Sequence, residues 1–208
     1  MNTKCCLLPT QYVIDYESLL HASLAESGTN ISVFLHEHLP RKWSDVYAKT
    51  VAHPTNIVRL RFRTFDYICD AYSKLEMAGE VSYDQTIKDR VVAVLGTSAC
   101  ASERPRAVRD WTPPSEEVFC TERDNGHFMA HCIGGGLGVN VFSQERRLNR
   151  GWSPQGKIYR QMEAYCYQHP GTFCFSRPIY EDGSNAPRWL EFGLLKHKGA
   201  LWVEVFDN

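Results

Sequence analysis

The chain has 208 residues, of which 43% are hydrophobic and 23% charged; this fits one globular domain, or one domain with a modest extension. The composition excludes a large multidomain machine as well as a disordered or fibrous chain. The 23 Lys and Arg residues nearly balance the 24 Asp and Glu residues, so the formal charge of −1 excludes global attraction to a polyanion. Any surface that binds nucleic acid must therefore be local.

The N-terminal region, residues 1–117, is predicted to be mostly helical. Residues 11–38 carry apolar side chains at helical spacing, with a Ser-Gly-Thr-Asn break at 27–30. The segment after the break, ISVFLHEHL, fits a strand or a helix. Residues 41–63 are basic, and their RLRFR run alternates as one face of a half-exposed strand or helix does. A solvated face explains this charge without a binding role.

Two further apolar segments precede a long connection. The pattern over 64–80 predicts a helix that ends near Gly79, with one face formed by Phe65, Ile68, Cys69, Tyr72 and Leu75. VVAVLG at 91–96 fits a buried strand or a short core helix. Residues 97–118 are rich in Ser, Pro and charged residues, and Pro113-Pro114 forbids a regular helix there. This stretch predicts a connecting loop.

Residues 118–208 predict a hairpin, then a helix, then strands. Two short apolar segments flank a cluster of glycines at 134–138, which indicates a hairpin with a wide turn. The helical face that follows ends before Pro170-Gly171 and consists of Ile158, Tyr159, Met162, Tyr165 and Cys166. TFCFSRPIY and LEFGLLKHKGALWVEVFDN predict strands, the latter a hairpin that turns at Lys198-Gly199. These elements predict an α+β fold with a small antiparallel sheet in the C-terminal half.

Four polar clusters follow one another on the predicted hairpin and helix. They are Asp124-Asn125-Gly126-His127, NVFSQ from Asn140, LNRGW from Leu148, and YRQME ending at Glu163. The GGGLG stretch between the first two lacks the Gly-Lys-Ser/Thr ending of a P-loop and does not open a βαβ unit, so it is a weak signal for phosphate or dinucleotide binding. The order and spacing of the four clusters are the more specific feature.

In this order the clusters resemble the DNA/RNA non-specific endonucleases, also called ββα-metal or His-Me finger nucleases. The signature of that family is D-R-G-H, then N-x-x-P-Q, then L-N-x-G-x-W, with a later Glu. NGHFMAHCIGGG is similar to the bacterial toxin-type branch, in which D-G-G-H-L-I-A precedes a Gly-rich turn. The resemblance covers residues 118–195, so it implies a ββα-metal nuclease core at 118–208 and leaves 1–117 as a packed region of unknown role.

The resemblance implies a role for each matching residue. His127 corresponds to the general base, which suits an imidazole with an ordinary pKa of about 6.5. Asn149 corresponds to the protein ligand of one hydrated divalent cation, and an amide oxygen suits Mg²⁺, with Mn²⁺ or another divalent ion as alternatives. Glu163 would hold metal-bound water and Asn140 would brace the histidine loop. Because Ser153-Pro154 interrupts the helix, one unbroken helix cannot carry both Asn149 and Glu163.

Substrate contacts are predicted around the same core. The phosphate-binding Arg of the D-R-G-H element is Asn125 here, and the candidates to supply the lost positive charge are Arg123, Arg147 and Arg150. Residues 141–165 hold five Lys or Arg against two Glu, a net charge of +3, which indicates a basic patch. Phosphate contacts without base readout predict cleavage that is indifferent to sequence and sensitive to salt.

Several residues keep two interpretations. His131 fits a structural role or a phosphate contact, while Trp152 and Trp189 fit core packing or stacking on bases. Cys132 with His127 or His131 offers part of a zinc site, but no second closely spaced pair completes four ligands. The eight scattered cysteines indicate reduced thiols rather than a disulfide framework.

The function implied by the resemblance is metal-dependent, sequence-nonspecific hydrolysis of phosphodiester bonds in DNA, with RNA as a further substrate. A toxin or effector nuclease with an inhibitory immunity protein fits this branch. The alternatives are a nucleic-acid-binding module with an inactive finger, a regulatory role for residues 1–117, and a zinc-structural protein. No apolar run reaches the roughly 18 residues of a membrane span, so we expect cytosolic synthesis without a signal peptide, with dedicated export left open.

Overall fold

The computed structural model describes residues 8–25, 30–77, 87–100 and 122–208, and it confirms the predicted α+β class. The helices of this part of the chain are α1 (Tyr16–Ala25), α2 (Ile31–Thr50), α3 (Ser73–Met77), α4 (Arg146–Asn149) and α5 (Pro154–Gln168). The strands are β1 (Ile57–Phe62), β2 (Phe65–Asp70), β3 (Arg90–Thr97), β4 (Arg123–His127), β5 (Val141–Glu145), β6 (Phe173–Ile179), β7 (Trp189–Leu195) and β8 (Leu201–Asp207).

The main sheet has six antiparallel strands in the order β1-β2-β3-β6-β7-β8. β3 pairs with β6 from Val94↔Ser176 to Thr97↔Phe173, so strands from both halves of the chain form one sheet. The sheet is larger than the sequence indicates, because RLRFR, the 65–70 segment and VVAVLG are all strands. Only β4 and β5 form a separate, two-stranded sheet within the described residues.

The 64–80 helix prediction is wrong for its first half, which forms β2. All six residues of β2 are buried, because one face packs under α2 and the other under the C-terminal elements. Ile68 belongs to the first of these cores and Tyr67 to the second. A strand covered on both faces does not show the alternation of buried and exposed residues that marks a half-exposed strand, and the apolar residues Phe65, Ile68 and Cys69 also fit a helical spacing. Helix α3 forms only beyond it, and Gly79 lies outside the described residues.

Helix α2 covers one face of the sheet. Asn30 caps it by accepting a hydrogen bond from the Ser32 N–H at 2.8 Å, and the helix continues through Pro40 to Thr50. Its buried residues pack against Ile68, Val92, Leu95 and Phe175, and they are Phe34, Leu35, Leu39, Trp43 and Tyr47. The segment ISVFLHEHL is therefore helix rather than strand, because Phe34, Leu35 and Leu39 lie together on the face that packs on the sheet.

The opposite face of the sheet is covered by the β4–β5 hairpin and α5. Phe142, Leu148, Tyr159 and Met162 pack there in one core with side chains of the main sheet. The predicted helix over 158–166 and the strands with a turn at Lys198-Gly199 are present at their expected places. Most of the predicted 97–118 loop lies outside the described residues. None of the described helices is long and apolar enough to cross a membrane.

Candidate active site

The β4–β5 hairpin and the helices that follow it form a ββα unit that carries the four polar clusters. Its strands pair from Arg123↔Glu145 to His127↔Val141. Gly126 is required within it, because a Cβ at this position would lie 2.1 Å from the Gln144 side chain. The wide turn includes two 3₁₀ segments, His131–Ile133 and Gly138–Asn140, which confirms the predicted hairpin.

His127 ends β4 and is partly buried. Burial, and secondarily the nearby His131 imidazole, lower the pKa of His127 below its ordinary value. Its backbone carbonyl accepts a hydrogen bond from the Tyr159 hydroxyl at 3.3 Å, which ties the end of the strand to α5. A depressed pKa keeps the imidazole neutral at pH 7, and a neutral imidazole is the form that accepts a proton.

Asn140 is fully buried and holds the turn together. Its Oδ1 accepts from the Met129 N–H at 2.9 Å, while its Nδ2 donates to the carbonyls of Met129 and Gly136, each at 2.8 Å. Its own carbonyl accepts from the Phe128 N–H at 2.9 Å. These bonds connect Asn140 to the residues directly after His127, and the side chain of Asn140 bonds only to backbone.

Asp124 organises the other end of β4. Its carboxylate accepts hydrogen bonds from Arg146 at 3.0 Å, from Arg150 at 2.7 Å and from Asn149 Nδ2 at 3.3 Å. The bonds from Arg150, followed by those from Arg146 and Asn149, lower the pKa of Asp124 despite opposing desolvation. The hydrogen bond to Asp124 orients the Asn149 amide, because the amide nitrogen is its donor. No described residue donates a hydrogen bond to the amide oxygen.

Glu163 is buried on α5 and pairs with Arg160 at 2.7 Å. Burial raises the pKa of Glu163, and the Arg160 charge opposes this shift. Cys132 is exposed in the wide turn and lies within electrostatic range of Glu163. Glu163 is thus near the turn after His127. No hydrogen bond or ion pair of the described residues joins it to Asn149, and α4 and α5 are separated at Ser153-Pro154 as predicted.

The arginines predicted to bind substrate differ in whether a carboxylate pairs with their charge. Arg150 pairs with Asp124, whereas Arg123 donates to Ser143 at 2.7 and 2.9 Å and meets no carboxylate of a described residue. Arg147 is exposed and lines a cavity of about 450 Å³ together with Arg188. Asn125 is exposed on β4.

The basic patch has fewer unpaired positive charges than the net charge of +3 in the sequence indicates. Arg146 and Arg150 share Asp124, which lies outside the 141–165 window, and Arg160 pairs with Glu163. The charges of Arg123, Arg147 and Lys157 are not paired with a carboxylate within the described residues. A polyanion would therefore meet a few separate cations rather than a dense cluster.

The two tryptophans have opposite surroundings. Trp189 is buried and packs on Tyr12 with ring centroids 5.9 Å apart, so core packing is confirmed for it. Trp152 is 59% exposed and carries the Arg150 guanidinium 5.0 Å from its ring centre. The exposed ring directly follows the Asn149 segment, so the stacking interpretation stays available for Trp152 alone.

The donors present fit a hydrated divalent cation better than a closed zinc site. Asn149 offers one amide oxygen that has no partner in the part of the chain that the structure describes, which suits a hard ion that retains most of its water. A structural zinc site needs four closely placed Cys or His ligands. The described residues contain no group of three or more His, Cys, Asp or Glu arranged to hold a metal.

Sequence reasoning missed the connecting role of Asp124. The signal was available, because Asp124 begins the same cluster that ends in His127, but its partners Arg146 and Arg150 lie more than twenty residues away in sequence. The sequence allows a phosphate contact or a structural role for His131. In the structure it is partly buried, and its Nε2 has no hydrogen-bond partner among the described residues.

Comparisons with known proteins were made at the level of families, curated sequences and solved structures. No protein-family model and no curated protein matches the chain. A solved structure described as that of Sda1 nuclease with bound zinc ion is similar over 78% of this chain and 81% of its own, with 14% sequence identity and a TM-score of 0.37. A likeness at this level decides neither fold nor function.

Proposed function

We propose that this protein is a divalent-metal-dependent endonuclease of the ββα-metal, or His-Me finger, type that cleaves DNA, and RNA as a further substrate, without sequence preference. One observation carries the proposal. A single ββα unit presents a partly buried His127 with a depressed pKa at the end of β4, and an Asn149 whose amide nitrogen donates to Asp124 while its oxygen accepts from none of the described residues.

In this proposal His127 takes a proton from the attacking water. The water oxygen forms a bond to phosphorus while the bond to the leaving 3′-oxygen breaks, and the proton passes to the His127 imidazole. Asn140 keeps the turn after His127 in place through its bonds to Met129 and Gly136. Its contribution is to restrict the position of the base.

The metal would be held by the Asn149 amide oxygen and water, with Glu163 as the candidate hydrogen-bond acceptor of that water. Mg²⁺, Mn²⁺ or another divalent cation, when bound, supplies charge neutralisation for the phosphate in the transition state. Asp124 keeps the Asn149 amide oriented, and Arg123 and Arg147 offer cations for flanking phosphates. Asn125 leaves the usual arginine position without charge, so these two arginines carry more of the contact.

The direct test is cleavage of plasmid DNA and total RNA by the full chain, with Mg²⁺ or with EDTA. We expect metal-dependent degradation that is lost in both His127→Ala and Asn149→Ala. Lys42→Ala, which removes an exposed cation of α2 on the other face of the main sheet, is the control and is expected to retain activity. Retained cleavage in His127→Ala would remove the proposed base, and cleavage in EDTA would remove the proposed metal.

A second candidate is a nucleic-acid-binding module without turnover. It is favoured by one observation: among the described residues, no hydrogen bond or ion pair connects His127, Asn149 and Glu163 to one another. Binding of DNA that is equal in Mg²⁺ and EDTA, with no cleavage, would support it. If the enzyme acts as a toxin or effector, we expect an inhibitory partner protein that blocks cleavage when added at equimolar amount.

A further inference from the structure

We propose that Phe62 and Arg63, at the tip of the β1–β2 hairpin, form a second contact for the nucleic-acid strand beside the candidate active site. This inference rests on the proposed function, because it extends the same substrate surface into the N-terminal half of the chain. The resemblance noted in the sequence does not cover these residues. The argument depends on their position, their charge and the backbone of Arg63.

The hairpin tip lies directly against the turn that follows His127. The Phe62 ring covers Gly136, where an added Cβ would lie 2.4 Å from Phe62 Cε1. The Gly136 carbonyl accepts from Asn140, and Asn140 also holds Met129, two residues after His127. A strand of nucleic acid that reaches His127 and continues along this turn therefore meets Phe62 next.

Arg63 has the only positive φ among the described residues other than glycine, at 56°. It occupies the first position of the two-residue turn between Phe62 and Phe65, which pair with each other. Glycine is the preferred residue at such a position, because a residue with a Cβ is strained at a positive φ. Strain of this kind is retained mainly where a side chain has a role beyond the fold, so the arginine at this tip indicates a use for its guanidinium.

Among the described residues Arg63 has no carboxylate partner, whereas Arg59 and Arg61 of the same hairpin do. Arg59 and Arg61 both pair with the buried Asp66, which also accepts from His36 at 2.9 Å. No carboxylate of a described residue pairs with Arg63, whose guanidinium lies 5.4 Å from the centre of the Phe62 ring. Arg59 and Arg61 share one carboxylate and keep one net positive charge between them, whereas Arg63 at the tip is the arginine of this hairpin that has no carboxylate partner among the described residues.

An exposed aromatic ring beside an unpaired arginine matches the chemistry of a nucleic-acid strand. Phe62 is 44% exposed, and its free surface can stack on a base, while the guanidinium can bond a phosphate. β1 is also an edge strand, to which an acidic protein strand could add. Nucleic acid is favoured because the arginine without a carboxylate partner among the described residues lies at the tip beside the turn, whereas both arginines along the edge are held by Asp66.

The test measures binding of a short fluorescent single-stranded DNA to the full chain in EDTA, which prevents metal-dependent cleavage. Arg63→Gly and Phe62→Leu are compared with Arg41→Ala, which removes an exposed arginine of α2 that is 4.0 Å from Asp45. We expect Arg63→Gly to weaken binding by about fivefold and to reduce the salt dependence by about one phosphate contact, with unchanged or higher thermal stability. Phe62→Leu should weaken binding similarly, and Arg41→Ala should not.

Wild-type affinity in folded Arg63→Gly and Phe62→Leu would overturn the inference while leaving the proposed nuclease intact. Conversely, wild-type protein that binds DNA in an Arg63-dependent way but never cleaves it would overturn the nuclease and support this contact. A labelled poly-glutamate peptide serves as the second probe. Arg63-dependent binding of that peptide, with DNA binding unchanged, would overturn the inference in favour of an acidic protein partner.

Discussion

Asp124 holds three side chains of the candidate site together. It bonds to Asn149, Arg146 and Arg150, which come from α4 and the residue after it. We expect Asp124→Asn to lower cleavage by about 10- to 100-fold, the usual range for residues that orient a metal ligand. The loss of charge-assisted bonds should also reduce the free energy of unfolding by about 1–2 kcal/mol at pH 7.

The pH dependence of that loss follows from the sign of the pKa shift. The pKa of Asp124 is lower in the folded protein than in the unfolded chain, so its stabilising effect is present above the unfolded pKa of about 3.9 and disappears as the pH falls through the folded pKa. Urea unfolding at several pH values should therefore show the wild type and Asp124→Asn converging in strong acid. A constant difference at every pH would contradict this origin.

His127 allows a separate prediction for the rate of cleavage. Because burial and His131 lower its pKa, the neutral imidazole dominates at pH 7, and the rate should fall only as the pH drops below the ordinary value of about 6.5. His131→Gln removes the smaller of the two causes, so the acid limb should move to higher pH. A pH–rate profile of both proteins checks this, and an unmoved limb would show that His131 does not influence the base.

The sequence predicted single residues better than it predicted their partners. His127, Asn140, Asn149 and Glu163 all lie on the elements expected for them, because short clusters mark their own strand or helix. Their roles in catalysis stay predictions. The ion pairs Asp124–Arg150 and Arg160–Glu163 could not be predicted from the sequence. The first depends on how the hairpin folds onto α4, and the second on the burial of Glu163.

At the scale of elements, the wide turn between β4 and β5 depends on Asn140. Asn140→Ala would leave three buried backbone groups, one on Gly136 and two on Met129, without their partner. We expect the free energy of unfolding to fall by about 3 kcal/mol, since each unsatisfied buried group costs about 1–3 kcal/mol and relaxation recovers part of the loss. Thermal unfolding with and without Mg²⁺ measures this.

A matched control separates the turn from general damage to the unit. Ser153→Ala removes the cap of α5, whose Oγ accepts from the Gly156 N–H at 2.9 Å, and should cost about 1 kcal/mol. If Asn140→Ala costs no more than this, then the bonds of Asn140 do not hold the turn. If it also abolishes cleavage while Ser153→Ala does not, the turn matters to the proposed chemistry.

Helices and strands with one exposed face were predictable, whereas the fully buried strand was not. α5 shows a clear polar side, so its extent follows from periodicity alone. β2 has no exposed residue to reveal a period of two, and its burial is created by α2 and the ββα unit together. The information that distinguishes strand from helix at 65–70 therefore lies in other parts of the chain.

At the scale of the whole molecule, the six-stranded sheet joins the two halves of the sequence. The pairing of β3 with β6 connects residues separated by more than seventy positions, which no local pattern indicates. The division into an N-terminal region of 1–117 and a nuclease core of 118–208 remains a prediction about function. In structure, Phe65, Tyr67 and Val94 of the first part share one core with Phe142, Tyr159 and Phe192 of the second.

This shared core predicts the behaviour of the C-terminal fragment 118–208. Without β1 to β3, strand β6 becomes an uncovered edge, and the apolar face beneath α5 loses part of its packing. We expect the isolated fragment to lack a cooperative thermal transition and to aggregate, whereas the full chain unfolds cooperatively. Circular dichroism during heating and size-exclusion chromatography measure both properties.

Adding the complementary fragment 1–117 distinguishes a missing partner from damage at the cut. We expect the two fragments, mixed during refolding, to regain a cooperative transition, because the β3–β6 pairing and the common core can form between chains. A fragment 118–208 that is folded, monomeric and active alone would contradict the dependence argued here. It would also show that residues 1–117, including Phe62 and Arg63, are dispensable for cleavage.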